Sequence, residues 1–266
     1  MEKTKNNKGL VVVIITLMVI ILGLIFYICY DKGLILNNKK STEIKAINSN
    51  MDKKEENVDI NSSLIKHLLK TFEIDETVVT VDGLNNSNLT KLRIAYANIS
   101  NSKSIKSIKC SDVMSDDDSS YCGIMNEEMS KIYNSTASTN SPEFKAAEAN
   151  NLTSGVSQED MEEELKWLFG SDFKIKHESF GLNMGVEPTC SYAKYVADKK
   201  VYANYYGECG GTSLEPTTKV ISATKKGNIL KINVDIILEN THSVTYEFKK
   251  DKINENYVFV KVEDRK

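Results

Sequence analysis

The chain has 266 residues, a formal net charge of −3, 41% hydrophobic and 27% charged residues, and only 13 glycines and 3 prolines. That composition excludes a collagen-like chain, a low-complexity chain and a polytopic membrane protein. A pI near 5.8 excludes a nucleic-acid binder that works through bulk positive charge.

The first predicted element is a transmembrane helix over residues 10–30. Leu10 to Tyr30 is 21 residues without a charge, and such a helix is about 31 Å long, matching the hydrocarbon core. Only Thr16 and Gly23 interrupt the run, so it lacks the polar face of a core helix. Tyr27 and Tyr30 stand near one end, where amphipathic rings favour the interface. A cleaved signal peptide has a shorter apolar core that ends at small residues, and Phe26-Tyr27-Ile28-Cys29-Tyr30 offers none. Cys29 is read as a small apolar residue in lipid. Lys3, Lys5 and Lys8 sit close before the run, as in a signal-anchor, although the other flank is nearly as basic. Residues 1–9 are therefore a short cytoplasmic tail and the folded mass lies outside, anchored at the cell membrane.

Residues 31–60 hold six Lys, six acidic residues and no aromatic, which reads as a charged, solvated stalk. Beyond it, residues 61–266 are expected to form one α+β extracytoplasmic domain, helix-rich over 61–170 and an antiparallel sheet over 171–264. Leu64, Ile65, Leu68, Leu69 and Phe72 recur at helical spacing and predict a helix over 62–73, capped by Asn61 or Ser62. Leu89, Leu92, Tyr96 and Ile99 predict a second over 89–99. A short third covers 127–134, and Ser141-Pro142 opens a fourth. The fifth, over 158–169, has Ser157 as cap, Glu159 and Asp160 in its first turn, a stripe of Met161, Leu165, Leu168 and Phe169, and Gly170 as the left-handed stop.

After Gly170 the period changes to two. Strands are predicted over 192–197, 201–206, 220–224, 230–238, 244–248 and 257–262, with turns every 10–15 residues, as in an antiparallel meander. Leu230, Ile232, Val234, Ile236 and Leu238 make one apolar face, opposed by Lys231, Asn233 and Asp235. Helices followed by consecutive strands predict helices packed on one face of a curved antiparallel sheet. This element order over 155–264 resembles cystatin-like and NTF2-like folds, a likeness that implies a cone closed by helices. The abundance of Lys, Asn and Ile, with endings such as YEFKKDKINENYVFVKVE, resembles single-pass membrane-anchored surface proteins of low-GC Gram-positive bacteria. That resemblance implies a compartment and no activity.

Four cysteines follow the anchor: Cys110, Cys122, Cys190 and Cys209. Of their three pairings, the local one, Cys110–Cys122 and Cys190–Cys209, has a geometric reason. A hairpin turning at Asp198-Lys199 sets Cys190 near Gly207, two positions from Cys209, and flanking glycines let the backbone adjust. A bridge from Cys110 to Cys122 would hold the polar stretch SDVMSDDDSSY and contribute on the order of 3 kcal/mol. Disulfides need an oxidising compartment, consistent with an external domain. The spacings match no zinc site. Asp112 with Asp116, Asp117 and Asp118 lacks the alternation of a calcium loop. No P-loop, nucleophile elbow or metalloprotease motif occurs, and His67, His177 and His242 carry no catalytic signature. No cofactor, metal or catalytic residue is predicted.

Five of the twelve tyrosines fall in one hairpin: Tyr192, Tyr195, Tyr202, Tyr205 and Tyr206. Cross-strand packing explains them; a ligand or partner surface is the other reading, with Trp167, the only tryptophan, beside it. Trp167 lies just off its helix's apolar stripe and is expected to be partly buried packing. The sequence thus predicts a membrane-anchored, non-catalytic binding or interaction module outside the cell. Its expected partners are membrane lipid through residues 10–30 and a membrane-protein or cell-surface partner, not nucleic acid. A small-pocket enzyme and a sensory accessory subunit of a membrane complex are the alternatives.

Overall fold

The structure, a computed structural model, describes residues 54–75, 79–102, 106–115, 120–136, 138–182, 191–207, 216–238 and 240–265. The predicted cytoplasmic tail, the transmembrane helix over 10–30 and most of the stalk lie outside the described residues. Among the described residues, no helix is long and apolar enough to cross a membrane. The fold belongs to the mixed α+β class, with antiparallel sheets and, among the described residues, six α-helices.

Hydroxyl caps start the helices where the sequence places them. Helix α1 (Ser63–Thr71) begins at Ser62, whose side chain accepts from Ile65 N–H, and it buries Ile65, Leu68 and Leu69. Helix α2 (Val81–Asn86), absent from the sequence reading, is capped by Thr80 on Gly83 N–H at 2.9 Å. It is six residues long, too short for a helical period to show. Helices α3 (Asn88–Ser102) and α4 (Glu127–Thr136) follow. Helix α5 (Pro142–Ala149) has Pro142 in its first turn and Ser141 accepting from Phe144 N–H at 3.1 Å. Helix α6 (Gln158–Phe169) opens with Ser157 accepting from Asp160 N–H at 3.0 Å. It ends at Gly170, whose φ of 99° is positive as expected, while its ψ of 155° is extended rather than left-handed helical.

Among the described residues, eleven strands form two sheets, which corrects the single meander expected over 171–264. The first sheet has the order β1-β8-β9-β10-β11, from β1 (Glu56–Asn57), β8 (Thr217–Lys226), β9 (Ile229–Ile237), β10 (Thr241–Lys250) and β11 (Tyr257–Asp264). The second has the order β2-β4-β7-β6-β5, from β2 (Lys106–Lys109), β4 (Leu152–Ser157), β7 (Val201–Tyr206), β6 (Tyr192–Val196) and β5 (Phe180–Gly181), with β3 (Tyr121–Cys122) also pairing β7. The hairpin β6–β7 therefore belongs with strands that lie inside the supposedly helical 61–170 segment. Those strands escaped periodicity because they are two to six residues long, below the window in which alternation is legible. The stalk is corrected too. Its last residues pair with β8, Glu56 opposite Lys225 and Asn57 opposite Thr224, and Val58 N–H donates to Ala223 O at 2.8 Å. Val58 and Ile60 supply the apolar contact that a purely charged spacer lacks.

One core joins these layers. It gathers Leu68 and Phe72 of α1, Leu92 and Tyr96 of α3, Leu165 of α6, Ile232 and Val234 of the first sheet, and Tyr202 and Ala193 of the second. Helix α6 touches both β11 and β4, and α3 touches α6, β4 and β5, so these helices lie between the sheets. The far face of the second sheet is covered by the segment around the Cys110–Asp112 turn and by α4 and α5. The outer face of the first sheet is polar and cross-linked: Asn233 bonds Ser222 and Thr245, and Asp235 bonds Ser243 and Arg265.

Candidate functional site

A cavity of about 520 Å³ opens beside α1, where the turns at one end of the first sheet meet the last turn of α6. Its floor is apolar and buried: Leu68, Phe72, Leu168 and Leu230 are each 5% exposed or less. Trp167 forms a wall and, at 45% exposed, is partly buried as expected, but it stands outside the packed stripe of α6. The reason is angular. Leu165 and Leu168 take the buried stripe of α6, and a residue one position from that stripe points about 100° away from it.

The β10–β11 turn comes up against this ring. Asn256 Nδ2 donates to Trp167 O at 2.6 Å, satisfying a carbonyl in the last turn of α6. Asn256 Oδ1 is buried and has no hydrogen-bond partner among the described residues. An acceptor left this way costs about 1–3 kcal/mol, and Asn256 lines the cavity. The rim carries Lys225 and Lys250 against Glu255, with His67 also in the lining. Glu255 is 3.9 Å from Lys250 with its side chain 83% exposed, so that pair is strongly screened.

A second hollow of about 770 Å³ lies beyond Trp167, which with His67, Thr71 and Leu168 lines both. It is the more polar of the two, with Lys70, Glu73, Arg93 and Glu164 in its walls. Arg93 is buried, and its Nε donates to Gly181 O at 2.8 Å. Burial lowers its guanidinium to about 10, against the opposing pull of Asp75.

The hairpin tyrosines serve packing more than surface. Tyr202 and Tyr205 are fully buried, which removes them from the predicted surface. Tyr192 stacks on Tyr205 with centroids 5.0 Å apart, and Tyr195 pairs with Tyr202 at 4.9 Å, each directly cross-strand. Tyr206 is half-buried opposite Tyr121. Tyr202 also anchors a polar chain. Its hydroxyl is 2.7 Å from His177 Nδ1, and His177 Nε2 is 3.2 Å from Glu162 Oε1. Gln158 donates to the same Glu162 oxygen at 2.7 Å and accepts from Tyr195 OH at 2.6 Å. Burial, then the neighbouring Tyr195, raises the Tyr202 hydroxyl far above the ordinary phenol value, so it stays neutral. This chain couples α6 to the β6–β7 hairpin and lies outside both hollows. His242 instead faces Asp264 at 2.7 Å on an exposed edge.

The Cys110 and Cys122 sulfurs lie at bonding distance, with both residues fully buried. The enclosed loop is better anchored than its polar composition suggests. Val113 is buried beside the disulfide, and its carbonyl accepts from Tyr205 OH at 2.8 Å and Lys194 Nζ at 2.9 Å. Cys190, Cys209 and the acidic run at 116–118 lie outside the described residues. Among the described residues, no three His, Cys, Asp or Glu side chains are grouped to hold a metal.

Of the residues predicted for a ligand or partner surface, only Trp167 is among those lining the cavity. His67, Lys225, Lys250, Asn256 and Tyr257 were not predicted as site residues, because nothing local marks them as sharing one space. The one legible signal was a lone tryptophan just off an amphipathic stripe. No protein-family model, curated protein or solved structure matches the chain.

Proposed function

We propose that the protein is a membrane-anchored, extracytoplasmic, non-catalytic binding module whose ligand site is the Trp167 cavity. The observation that carries the binding reading is an exposed indole standing over a buried apolar floor in a cavity of about 520 Å³. Ligand sites of this kind combine apolar walls with a few placed polar groups, in volumes of roughly 300–1,000 Å³. The uncharged run Leu10 to Tyr30 and the basic tail before it support the anchor. The Cys110–Cys122 pair supports an oxidising location.

Labelling whole cells with a membrane-impermeant amine reagent, followed by peptide mass spectrometry, tests the placement. Lysines of residues 53–266 are expected to be modified while Lys3, Lys5 and Lys8 stay unmodified until lysis. Modification of the domain only after lysis would refute an external domain.

A further inference from the structure

Resting on the membrane-anchored reading above, we propose that one end of the first sheet is a membrane-docking face, which seats on an anionic phospholipid surface through Trp167, Ile253 and the lysines of two turns. The strand registers define that end. Lys226 pairs with Ile229 and Lys250 with Tyr257, and Lys249 also lies opposite Ile229, so the β8–β9 and β10–β11 turns project from the same end of the sheet. Strand β1 runs antiparallel to β8, with Glu56 opposite Lys225 and Asn57 opposite Thr224. The chain therefore enters the domain at this end, beside the two turns. Residues 31–53 separate Lys54 from the uncharged run and can span at most about 80 Å. A domain tethered within that distance meets the bilayer at high effective concentration, so contacts weak in themselves suffice to seat it.

The side chains displayed at this end suit a lipid surface. Asp251 Oδ1 accepts from Ile253 N–H at 2.7 Å and from Asn254 N–H at 3.0 Å. That closes the β10–β11 turn and leaves Ile253 73% exposed in a turn, where polar residues are the rule. Asn256 of the same turn holds the Trp167 carbonyl, which sets the exposed indole beside it. An aliphatic tip and an indole displayed together fit the boundary between headgroups and acyl chains. Charge adds to this. Glu255 stands by Lys250, and Glu56 lies opposite Lys225. Lys54 and Glu55 offset each other. The excess rests with Lys226, Lys249 and Lys252, all exposed, against Asp251 alone. This end is thus formally +2 within a chain of net −3.

Trp167 makes the face observable, because it is the only tryptophan and the uncharged run has none. The full chain is reconstituted in vesicles of phosphatidylcholine, or of equimolar phosphatidylcholine and phosphatidylglycerol. Each is prepared with and without a phosphatidylcholine carrying a nitroxide near its headgroup. Trp167 emission is expected to be quenched by the nitroxide lipid and protected from aqueous acrylamide, more in the anionic vesicles and less at high salt. In those vesicles Lys226→Gln/Lys252→Gln should lower the ratio of docked to free domain about fivefold per lysine. Ile253→Ser should weaken nitroxide quenching in both compositions. Ile124→Ser, at a similarly exposed residue close to Cys122 and away from this end, should leave it unchanged. Equal quenching in the two compositions overturns the anionic assignment. Quenching that neither the lysine variant nor Ile253→Ser reduces overturns the docking face. No nitroxide quenching, in chain that resists alkaline carbonate extraction, also overturns it while leaving the anchor standing, and is what a protein partner for this end would give. Chain released by carbonate overturns the anchored reading itself.

Discussion

Glu162 shows how one carboxylate can tie a helix to a sheet it does not belong to. Its acidity is strengthened first by the Gln158 hydrogen bond, opposed next by burial, and strengthened again by His177 and then Lys166. The folded-state value therefore lies below the ordinary 4.5. A depressed carboxylate contributes stability that is fully present above its unfolded value and is lost as pH falls through its folded value. Urea unfolding at stepped pH should accordingly show stability declining below pH 4.5, with a shallower decline in Glu162→Gln. A variant with the same acid limb as the unaltered chain would show that the ion adds nothing. Tyr202 completes the arrangement from the other side, because a buried hydroxyl that stays protonated can only serve as a fixed partner for His177.

Among elements, the short strands around the disulfide are the most tightly determined. Gly123 follows β3 with φ of 71°, a conformation that side chains with a Cβ rarely adopt. A Cβ there would stand 2.3 Å from Leu152 O, a backbone atom that cannot swing away. Close by, Asn151 Nδ2 reaches Cys122 O at 3.2 Å and Ile124 O at 2.9 Å, and Cys122 N–H donates to the fully buried Glu148 at 2.5 Å. Gly123→Ala should therefore destabilise the fold by about 2–4 kcal/mol, from backbone strain and overlap together. Denaturant melts with the disulfide intact would measure it, and a loss below about 0.5 kcal/mol would mean the turn relaxes freely. At the opposite side of the molecule the Asn85 side chain both donates to Val262 O at 2.7 Å and accepts from Val262 N–H at 2.9 Å. It thereby closes the free edge of β11 much as a further strand would.

For the molecule as a whole, the decisive feature is that both sheets draw on one set of helices for their buried face. Phe72 of α1 contacts Phe248 and Phe259 of the first sheet, and its carbonyl accepts from Tyr246 OH at 3.0 Å. Tyr96 of α3 reaches Phe180 and hydrogen-bonds Asn204 in the second. Neither sheet can lose this layer without exposing its own core. The described unit is therefore expected to unfold in a single transition. Trp167 emission, which reads the side near the first sheet, and near-ultraviolet tyrosine dichroism, which reads mainly the second, should give coincident urea curves. Two separated midpoints would show that the sheets are independent folding units.

Much of the secondary structure was legible in the chain because its determinants are local. Ser62, Ser141 and Ser157 cap helices through hydroxyls three residues from their partners. The alternation Leu230, Ile232, Val234, Ile236 buries one face of β9 whatever lies above it. Membership of a sheet is different. Strands β6, β7 and β8 follow one another in the chain, yet β7 pairs with β4 and β8 with β9, a choice between partners that a strand's own period does not encode. The cavity is less local still. Trp167 is visible as an aromatic out of phase with its helix, but the histidine of the lining lies more than 150 residues before the lysines and the amide. Each looks like an ordinary surface residue until packing sets α1, α6 and two turns of one sheet around a shared space.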